Sequence, residues 1–230
     1  MDTNGITHLS FDCYGTLIDW ETGILDQALP LLARAGVAAD AADVLRAYAR
    51  HEHDVEAGAF KAYRTVLAET MRRIGADFGA KLADADCAAF AQGLGDWPPF
   101  ADTVAALARL AARYRLVILS NVDDDLFAIT ARKLEVGFAA VITAQQVGSY
   151  KPAMGHFDAA RTRLGLGPHN WIHVAQSLYH DHVPAQSLGL QTLWIERPTR
   201  LAGTGIAPPA RVKPTARATS LAEAADLLGA

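Results

Sequence analysis

Four groups of polar residues in this chain could together carry out a nucleophilic displacement. The first is Asp12, which ends the run 6–11 and is followed, after Cys13 and Tyr14, by Gly15 and Thr16. A carboxylate at the carboxyl end of a strand, beside a turn that glycine favours, is how an α/β fold exposes a nucleophile. Such a carboxylate can form an ester with carbon or an anhydride with phosphorus. The sequence therefore predicts Asp12 as the nucleophile.

The other three groups follow later in the chain, each after a predicted strand or before a predicted helix. They are Ser120 with Asn121, Lys151, and Gln176 with Ser177 and Asp181. Thr16 and Ser120 can donate hydroxyl hydrogen bonds to a substrate anion or to Asp12, and an amide donor stands beside them. Lys151 can hold the nucleophile ionised and offset developing negative charge. Asp181 can orient the lysine or a water.

The elements that must position these groups alternate between short β-branched runs and alanine- and leucine-rich helical patterns. This alternation predicts an α/β fold with a parallel sheet and crossover helices. The predicted strands are 7–12, 116–120, 140–143, 171–175 and 191–195. The predicted helices are 100–114, 125–134, 154–164, 183–188 and a last one from Ser220, where Glu223 completes a capping box.

One interval interrupts the alternation. About a hundred residues after Asp12 contain no strand candidate, and helical periodicity covers 25–35, 41–55, 60–74 and 83–94. We predict a helical cap domain over residues 18–97 and a catalytic core from residues 1–17 and 98–230. The stretch 197–215 is rich in proline, glycine and basic residues, which predicts a loop before a weak last strand.

The composition excludes several classes of function. A formal net charge of −4 provides no basic stripe for a nucleic-acid partner. No apolar run approaches the length of a membrane span, and the first ten residues lack the features of a signal peptide. Two cysteines, Cys13 and Cys87, form no disulfide framework and suit a reducing compartment. We therefore expect a soluble cytoplasmic protein that acts on a small molecule.

Nucleophile, hydroxyl donor, lysine and distal aspartate, in this order, resemble the haloacid dehalogenase superfamily. The resemblance covers essentially the whole chain, because the helical interval stands where that superfamily carries its first type of cap. It implies a Rossmann-like parallel-sheet core with an inserted helical cap.

Tyr14 distinguishes two reactions within that superfamily. Phosphatases usually carry a second aspartate two residues after the nucleophile as acid and base, and an acidic Mg²⁺ ligand where this chain has Gln176. The L-2-haloacid dehalogenase branch instead has the motif Asp-x-Tyr-Gly-Thr, needs no metal and expels a halide that needs no proton. The resemblance therefore implies a cofactor-independent dehalogenase of small 2-haloalkanoic acids, with Tyr14 as a wall of the pocket.

Substrate recognition in that branch uses an arginine on the cap, which receives the halide or the substrate carboxylate. Arg46 is the favoured candidate here, with Arg50 and Arg64 as competitors. Asn121, Gln176 and Ser177 are expected to contact substrate or water. Leu178 replaces the asparagine of the branch's fourth motif. The resemblance also allows a homodimer.

Two other functions remain open from the sequence. A Mg²⁺-dependent phosphatase of the same superfamily would hydrolyse small phosphate monoesters, and Mg²⁺ would be its cofactor. A non-catalytic relative would bind a small acid or a protein without turnover.

Overall fold

Six parallel strands form one sheet in the computed structural model, which describes residues 1–201 and 205–230. The strand order is β3-β2-β1-β4-β5-β6, so the strand that leads to Asp12 lies in the middle of the sheet. The strands are β1 His8–Phe11, β2 Arg115–Ser120, β3 Ala140–Thr143, β4 Trp171–Ala175, β5 Gln191–Ile195 and β6 Ala216–Ala218. The predicted α/β fold with a parallel sheet is confirmed.

Ten α-helices surround the sheet or lie in the interval after β1 within the described residues. They are α1 Trp20–Arg34, α2 Ala41–Glu56, α3 Tyr63–Asp77, α4 Asp84–Gln92, α5 Thr103–Ala111, α6 Asp124–Leu134, α7 Ala144–Val147, α8 Gly155–Leu164, α9 Val183–Ser187 and α10 Leu221–Leu227. A 3-10 turn, Gly93–Asp96, follows α4, and a π-helical turn, Leu178–His182, precedes α9. None of the described helices combines the length and apolar character that crossing a bilayer requires.

Apolar residues bury both faces of the central strands. Every residue of β1 and β4 is buried, as expected where helices cover both faces of a parallel sheet. One apolar cluster includes Leu9 and Phe11 together with the helical interval. A second includes Phe157 of α8 and Trp171 of β4. The strand ends therefore carry the polar residues, and those residues meet at one edge of the sheet.

The helical insertion, α1 to α4 with its 3-10 turn, leaves and rejoins the sheet at neighbouring points. Ile18 forms a bridge with Pro99, and the Asp19 amide donates to the Pro98 carbonyl at 2.8 Å. The Phe100 amide donates to the Leu17 carbonyl at 3.1 Å. The division into a cap at 18–97 and a core stays a prediction.

Side-chain caps explain where several helices begin. Asp19 accepts from the Thr22 amide at 3.1 Å, so α1 begins five residues earlier than the predicted 25. Asp123, from the loop after β2, accepts from the amides of Tyr63 and Arg64 at 2.8 and 3.0 Å. The carboxylate of Asp123 thus caps α3 from the sheet side, which places the start of α3 three residues later than predicted.

The last predicted elements also show small differences. Ser220 caps α10 through the Glu223 amide, but the Glu223 carboxylate accepts from the Thr219 amide at 2.7 Å. The predicted loop 197–215 is followed by β6, and residues 202–204 of that loop lie outside the described residues. Helix α7 and the π-helical turn were not predicted, because each is too short to show periodicity.

Gly23 of α1 allows the insertion to pack closely against Trp97. A Cβ atom at Gly23 would lie 2.1 Å from Cγ of Trp97. We expect Gly23→Ala to lower the free energy of unfolding by about 1–3 kcal/mol through overpacking, although alanine is the better helix former. Urea unfolding followed by circular dichroism measures this change.

Gly137→Ala is the matched control, since a Cβ atom there meets nothing within 4 Å. We expect its unfolding free energy to stay within about 0.5 kcal/mol of the unsubstituted chain. Equal stability of the two variants would contradict the packing argument.

Candidate active site

A small cavity opens at the carboxyl ends of β1, β2 and β4, beneath α2 and α3. Its free volume is about 40 Å³, so it suits a substrate of few non-hydrogen atoms. Its lining comprises Asp12, Tyr14, Trp20, Glu52, Glu56, Tyr63, Ser120, Asn121, Lys151, Gln176, Ser177, His180 and Asp181. All four polar groups singled out in the sequence therefore contribute to one cavity.

Asp12 is held by one contact on each carboxylate oxygen. Lys151 Nζ donates to Oδ1 at 2.8 Å, and Thr16 Oγ1 donates to Oδ2 at 2.8 Å. Thr16 Oγ1 in turn accepts from the Gln176 amide at 2.9 Å. The carboxylate is mostly buried, with 8% of its residue surface exposed. It is thus oriented at the edge of the cavity with its charge balanced.

Lys151 is buried and uses all three of its N–H donors. Besides Asp12, Nζ donates to Asp181 Oδ1 at 2.6 Å and to the Leu119 carbonyl at 2.8 Å. Asn121 fixes the lysine backbone, because its Oδ1 accepts from the Lys151 amide at 2.8 Å and its Nδ2 donates to the Lys151 carbonyl at 3.2 Å. The Asn121 side chain therefore positions the lysine, a role other than the predicted contact with substrate.

A buried hydrogen-bonded chain supports Asp181 from inside the sheet. Trp171 Nε1 donates to Ser10 Oγ at 2.6 Å, and Ser10 Oγ lies 2.6 Å from His173 Nδ1. His173 Nε2 lies 3.1 Å from Asp181 Oδ1. Because tryptophan only donates and a carboxylate only accepts, a neutral His173 carries its proton on Nε2. His173 was not predicted as a site residue, because the sequence shows it only as one residue within the strand β4.

Burial and charge act in opposite directions on the three central groups. Burial raises the pKa of Asp12, and the Lys151 ammonium opposes that rise. Burial alone would lower the pKa of Lys151, but the carboxylates of Asp12 and Asp181 raise it above its ordinary value. Burial alone would raise the pKa of Asp181, but Lys151 and His173 lower it well below its ordinary range. Lys151 is therefore charged and Asp181 ionised at neutral pH.

Tyr14 lines the cavity with its ring, while its hydroxyl is engaged elsewhere. The hydroxyl lies 2.9 Å from Thr130 Oγ1 on α6. The ring meets Trp97 edge to face, with centroids 5.9 Å apart. Burial raises the pKa of Tyr14 well above its ordinary value. The Tyr14 phenol is therefore a weaker acid than an exposed tyrosine.

Ser120, Gln176 and Ser177 differ in how far they are free to meet a ligand. Ser120 Oγ is buried in the cavity wall and has no hydrogen-bond partner in the described part of the chain. The backbone carbonyl of Gln176 accepts a hydrogen bond from Trp194 Nε1 at 2.9 Å. Ser177 Oγ caps the π-helical turn by accepting from the His180 amide at 3.1 Å. Ser120 is thus the hydroxyl best placed to donate to a ligand.

Arg197, in the predicted loop, holds the turn that follows the nucleophile. Its Nε donates to the Thr16 carbonyl at 2.9 Å, and one of its terminal nitrogens donates to Asp102 at 2.7 Å. The guanidinium also stacks on Phe100 at 4.2 Å from the ring centre. The sequence did not indicate this role, because Arg197 begins a segment whose composition is typical of a loop.

None of the three candidate arginines lies in the cavity. Arg46 is exposed and pairs with Asp43 at 2.6 Å, beside a separate surface groove. Arg50 pairs with Asp77, and Arg64 pairs with Asp123 and Asp125. The structure therefore contradicts the prediction that Arg46 faces the substrate, because α2 turns a different face towards the strand ends.

Glu52 and Glu56 occupy the face of α2 that covers the cavity. They are four residues apart and so lie one above the other on the helix. Tyr48 and Tyr63 each donate a hydroxyl hydrogen bond to Glu52 Oε1, at 3.0 and 2.5 Å. Glu52 and Glu56 were not predicted as site residues, although their separation of four residues places them on one face of a helix.

Asp12 and Asp181 are the carboxylates around Lys151 that could hold Mg²⁺. The Oδ1 atoms of both carboxylates already contact the Lys151 ammonium, which supplies the positive charge that a metal ion would bring. The described residues contain no cluster of three or more histidine, cysteine or acidic side chains arranged for a metal ion. These residues fit an internal ammonium better than Mg²⁺, and the absence of a cofactor stays a prediction.

Solved structures share this fold over nearly the whole chain. A defluorinating L-2-haloacid dehalogenase has a TM-score of 0.81 at 24% identity, covering 98% of this chain and 96% of that one. The L-2-haloacid dehalogenase of Xanthobacter autotrophicus with chloropropionic acid covalently bound has a TM-score of 0.81 at 19% identity, covering 97% of this chain and 98% of that one. The HAD-hydrolase YfnB of Bacillus subtilis, bound to magnesium, has 0.79 at 17%, covering 98% and 99%. At these identities the likeness shows the fold alone.

Sequence comparison gives the family. The haloacid dehalogenase-like hydrolase domain-containing protein 3 of Xenopus laevis is 30% identical over 86 residues, which are 37% of this chain and about a third of that protein (35%). The family model described as haloacid dehalogenase-like hydrolase matches residues 6–178, three quarters of the chain. The chain therefore belongs to the haloacid dehalogenase-like hydrolase family.

Proposed function

We propose that this hydrolase cleaves a carbon–halogen bond through a covalent ester on Asp12. The observation that carries the proposal is the state of Tyr14, whose buried phenol is hydrogen-bonded to Thr130. Position 14 therefore supplies no acid for an alkoxide leaving group. A halide leaves without a proton, so displacement at carbon is the reaction that this position permits.

The first step needs only the groups around Asp12. A carboxylate oxygen forms a bond to the substrate carbon as the carbon–halogen bond breaks, and the halide departs with the bonding electron pair. Thr16 and Lys151 hold the carboxylate in orientation, each through a contact of 2.8 Å. Lys151 keeps its charge beside Asp181 when the Asp12 charge is lost to the ester.

The second step is hydrolysis of that ester. Water adds to the carboxyl carbon of Asp12, and the bond from that carbon to the substrate oxygen breaks. The alcohol product leaves with one Asp12 oxygen and takes one proton of the attacking water. The other water proton passes to solvent, and the water oxygen stays in the regenerated carboxylate. Asp181 Oδ2 is buried in the cavity wall and has no partner in the described part of the chain. This oxygen can accept a hydrogen bond from the attacking water.

The substrates to test first follow from the family resemblance. Small 2-haloalkanoic acids have few non-hydrogen atoms and need no cofactor in this mechanism. The Mg²⁺-dependent phosphatase is the second candidate, because the unpartnered Asp181 Oδ2 is also a place where a cation would find an oxygen. A single assay series with and without EDTA separates the two.

The first prediction is that Asp12 exchanges an oxygen with water during turnover. We expect ¹⁸O to enter Asp12 over many turnovers in H₂¹⁸O, because water attacks the carboxyl carbon. The assay uses chloro-, bromo- and fluoroacetate, both enantiomers of 2-chloropropionate, neutral 2-chloropropionamide and cationic 2-chloroethylammonium, in EDTA. Tandem mass spectrometry of the peptide that contains Asp12 locates the label.

Asp12→Asn is the control, and we expect it to release no halide and to gain no label. The proposal fails if the unsubstituted enzyme at high concentration releases halide from none of these compounds. EDTA-sensitive hydrolysis of small phosphate monoesters would support the phosphatase instead.

The second prediction concerns Tyr14→Phe, measured on a substrate that the first assay identifies. We expect kcat to fall by less than about tenfold, because the hydroxyl contacts Thr130 and takes no part in proton transfer. Loss of a general acid–base catalyst would instead lower the rate by roughly 10²–10⁴-fold. Steady-state halide release measures the difference.

Thermal or urea unfolding provides the control for Tyr14→Phe. We expect a stability loss of about 1 kcal/mol from the missing hydrogen bond, whatever the effect on kcat. A drop in kcat of a hundredfold or more, with a normally folded protein, would show that the phenol does act in catalysis.

A further inference from the structure

We propose that the substrate of this site carries a cationic ammonium group at its non-reacting end, recognised by Glu52 and Glu56. The inference rests on the proposed function for the reacting end, at Asp12. It names the class of molecule that fits the opposite wall of the cavity.

The charges that line the cavity favour a cation. Four carboxyl groups, those of Asp12, Glu52, Glu56 and Asp181, face it, while Lys151 is the one lysine or arginine among the lining residues described above. Burial lowers the pKa of His180 to about 4, so this side chain is neutral at pH 7. A substrate carboxylate would therefore meet several carboxyl groups and no free cation in this cavity.

No positive donor in the lining remains for a substrate carboxylate. The three N–H groups of Lys151 are already taken by Asp12, Asp181 and the Leu119 carbonyl. An anion could still meet neutral donors such as the Ser120 hydroxyl, but none of these carries the positive charge that would favour an anion beside the acidic side chains. Where α2 covers the cavity, it contributes Glu52 and Glu56 to the lining and no arginine.

Glu52 is built as an acceptor. The hydroxyls of Tyr48 and Tyr63 both donate to its Oε1 and so orient the carboxyl group. Burial raises the pKa of Glu52, and these two hydrogen bonds oppose that rise. Glu56 stands one turn further along α2, and it makes no ion pair or hydrogen bond with the described residues. Burial and the nearby Glu52 charge raise the pKa of Glu56 well above its ordinary value, because no cation lies close enough to outweigh them. A cation between the two would offset their repulsion.

Aromatic rings and two unpartnered polar atoms complete a ligand site. Tyr14, Trp20 and Tyr63 line the same cavity, and aromatic faces attract ammonium groups. At the reacting end, Ser120 Oγ and Asp181 Oδ2 are buried and have no hydrogen-bond partner in the described residues. The cavity thus presents acceptors and rings at one end and the nucleophile at the other.

The test is a binding measurement with three unreactive probes of similar size: ethylammonium, propionamide and propionate. We expect ethylammonium to bind most tightly and propionate most weakly to the unsubstituted protein at low ionic strength, measured by calorimetry or by ligand-observed NMR. Propionate binding at least as tightly as ethylammonium would overturn the proposal, and so would the absence of any saturable ethylammonium binding.

The double substitution Glu52→Gln with Glu56→Gln tests the residues. We expect ethylammonium to bind about tenfold more weakly, as the loss of charged hydrogen-bond partners implies, and propionate to bind more tightly. Asp54→Asn is the matched control, because Asp54 is an exposed acid of the same helix and lies outside the lining. Unchanged ethylammonium affinity in a folded double variant would overturn the assignment.

The two proposals fail separately. If the probes bind in the expected order but no halide is released and Asp12 gains no label, the recognition of a cation stands and the dehalogenation fails. If 2-haloalkanoic acids turn over efficiently and propionate binds most tightly of the three probes, the dehalogenation stands and the recognition of a cation fails. If the double variant does not fold, the order of the three probes on the unsubstituted protein still decides.

Discussion

The ammonium of Lys151 lies between two buried carboxylates, and the geometry of the site depends on this arrangement. Without it, Asp12 and Asp181 would be two negative charges in one desolvated cavity. Removing one partner from such a buried cluster costs about 3–5 kcal/mol, because the remaining charge has no compensation. Asn121 binds the backbone of Lys151, and His173 contacts Asp181, so both hold members of this cluster in position. They fix where the charges lie before any ligand enters.

The sheet order supplies the parts of this cluster from adjacent strands. Because β1 lies between β2 and β4, residues after these three strands meet at one edge. This much was predictable from the sequence, since apolar runs ending in polar groups mark strand ends. The gathering of Asp12, Ser120, Lys151 and Asp181 in one cavity agrees with that expectation.

The wall opposite the nucleophile was not predictable in the same way. Helical periodicity shows that Glu52 and Glu56 share a face, but it does not show which face of α2 turns to the strand ends. Arg46 lies on another face, where it is exposed. His173 was missed for a related reason, since alternation along β4 says that it is buried but not what it contacts. These assignments depend on tertiary packing, which a single sequence does not encode locally.

Arg197 has a consequence for the order in which the site is completed during synthesis. Its contact with the Thr16 carbonyl joins residues 181 positions apart, and Asp181 also comes late in the chain. Synthesis runs from the amino end, so the nucleophile turn emerges long before the groups that hold it. Until residue 197 has left the ribosome, the turn after β1 lacks its guanidinium anchor. The active centre therefore cannot be completed until every residue between Thr16 and Arg197 has been synthesised.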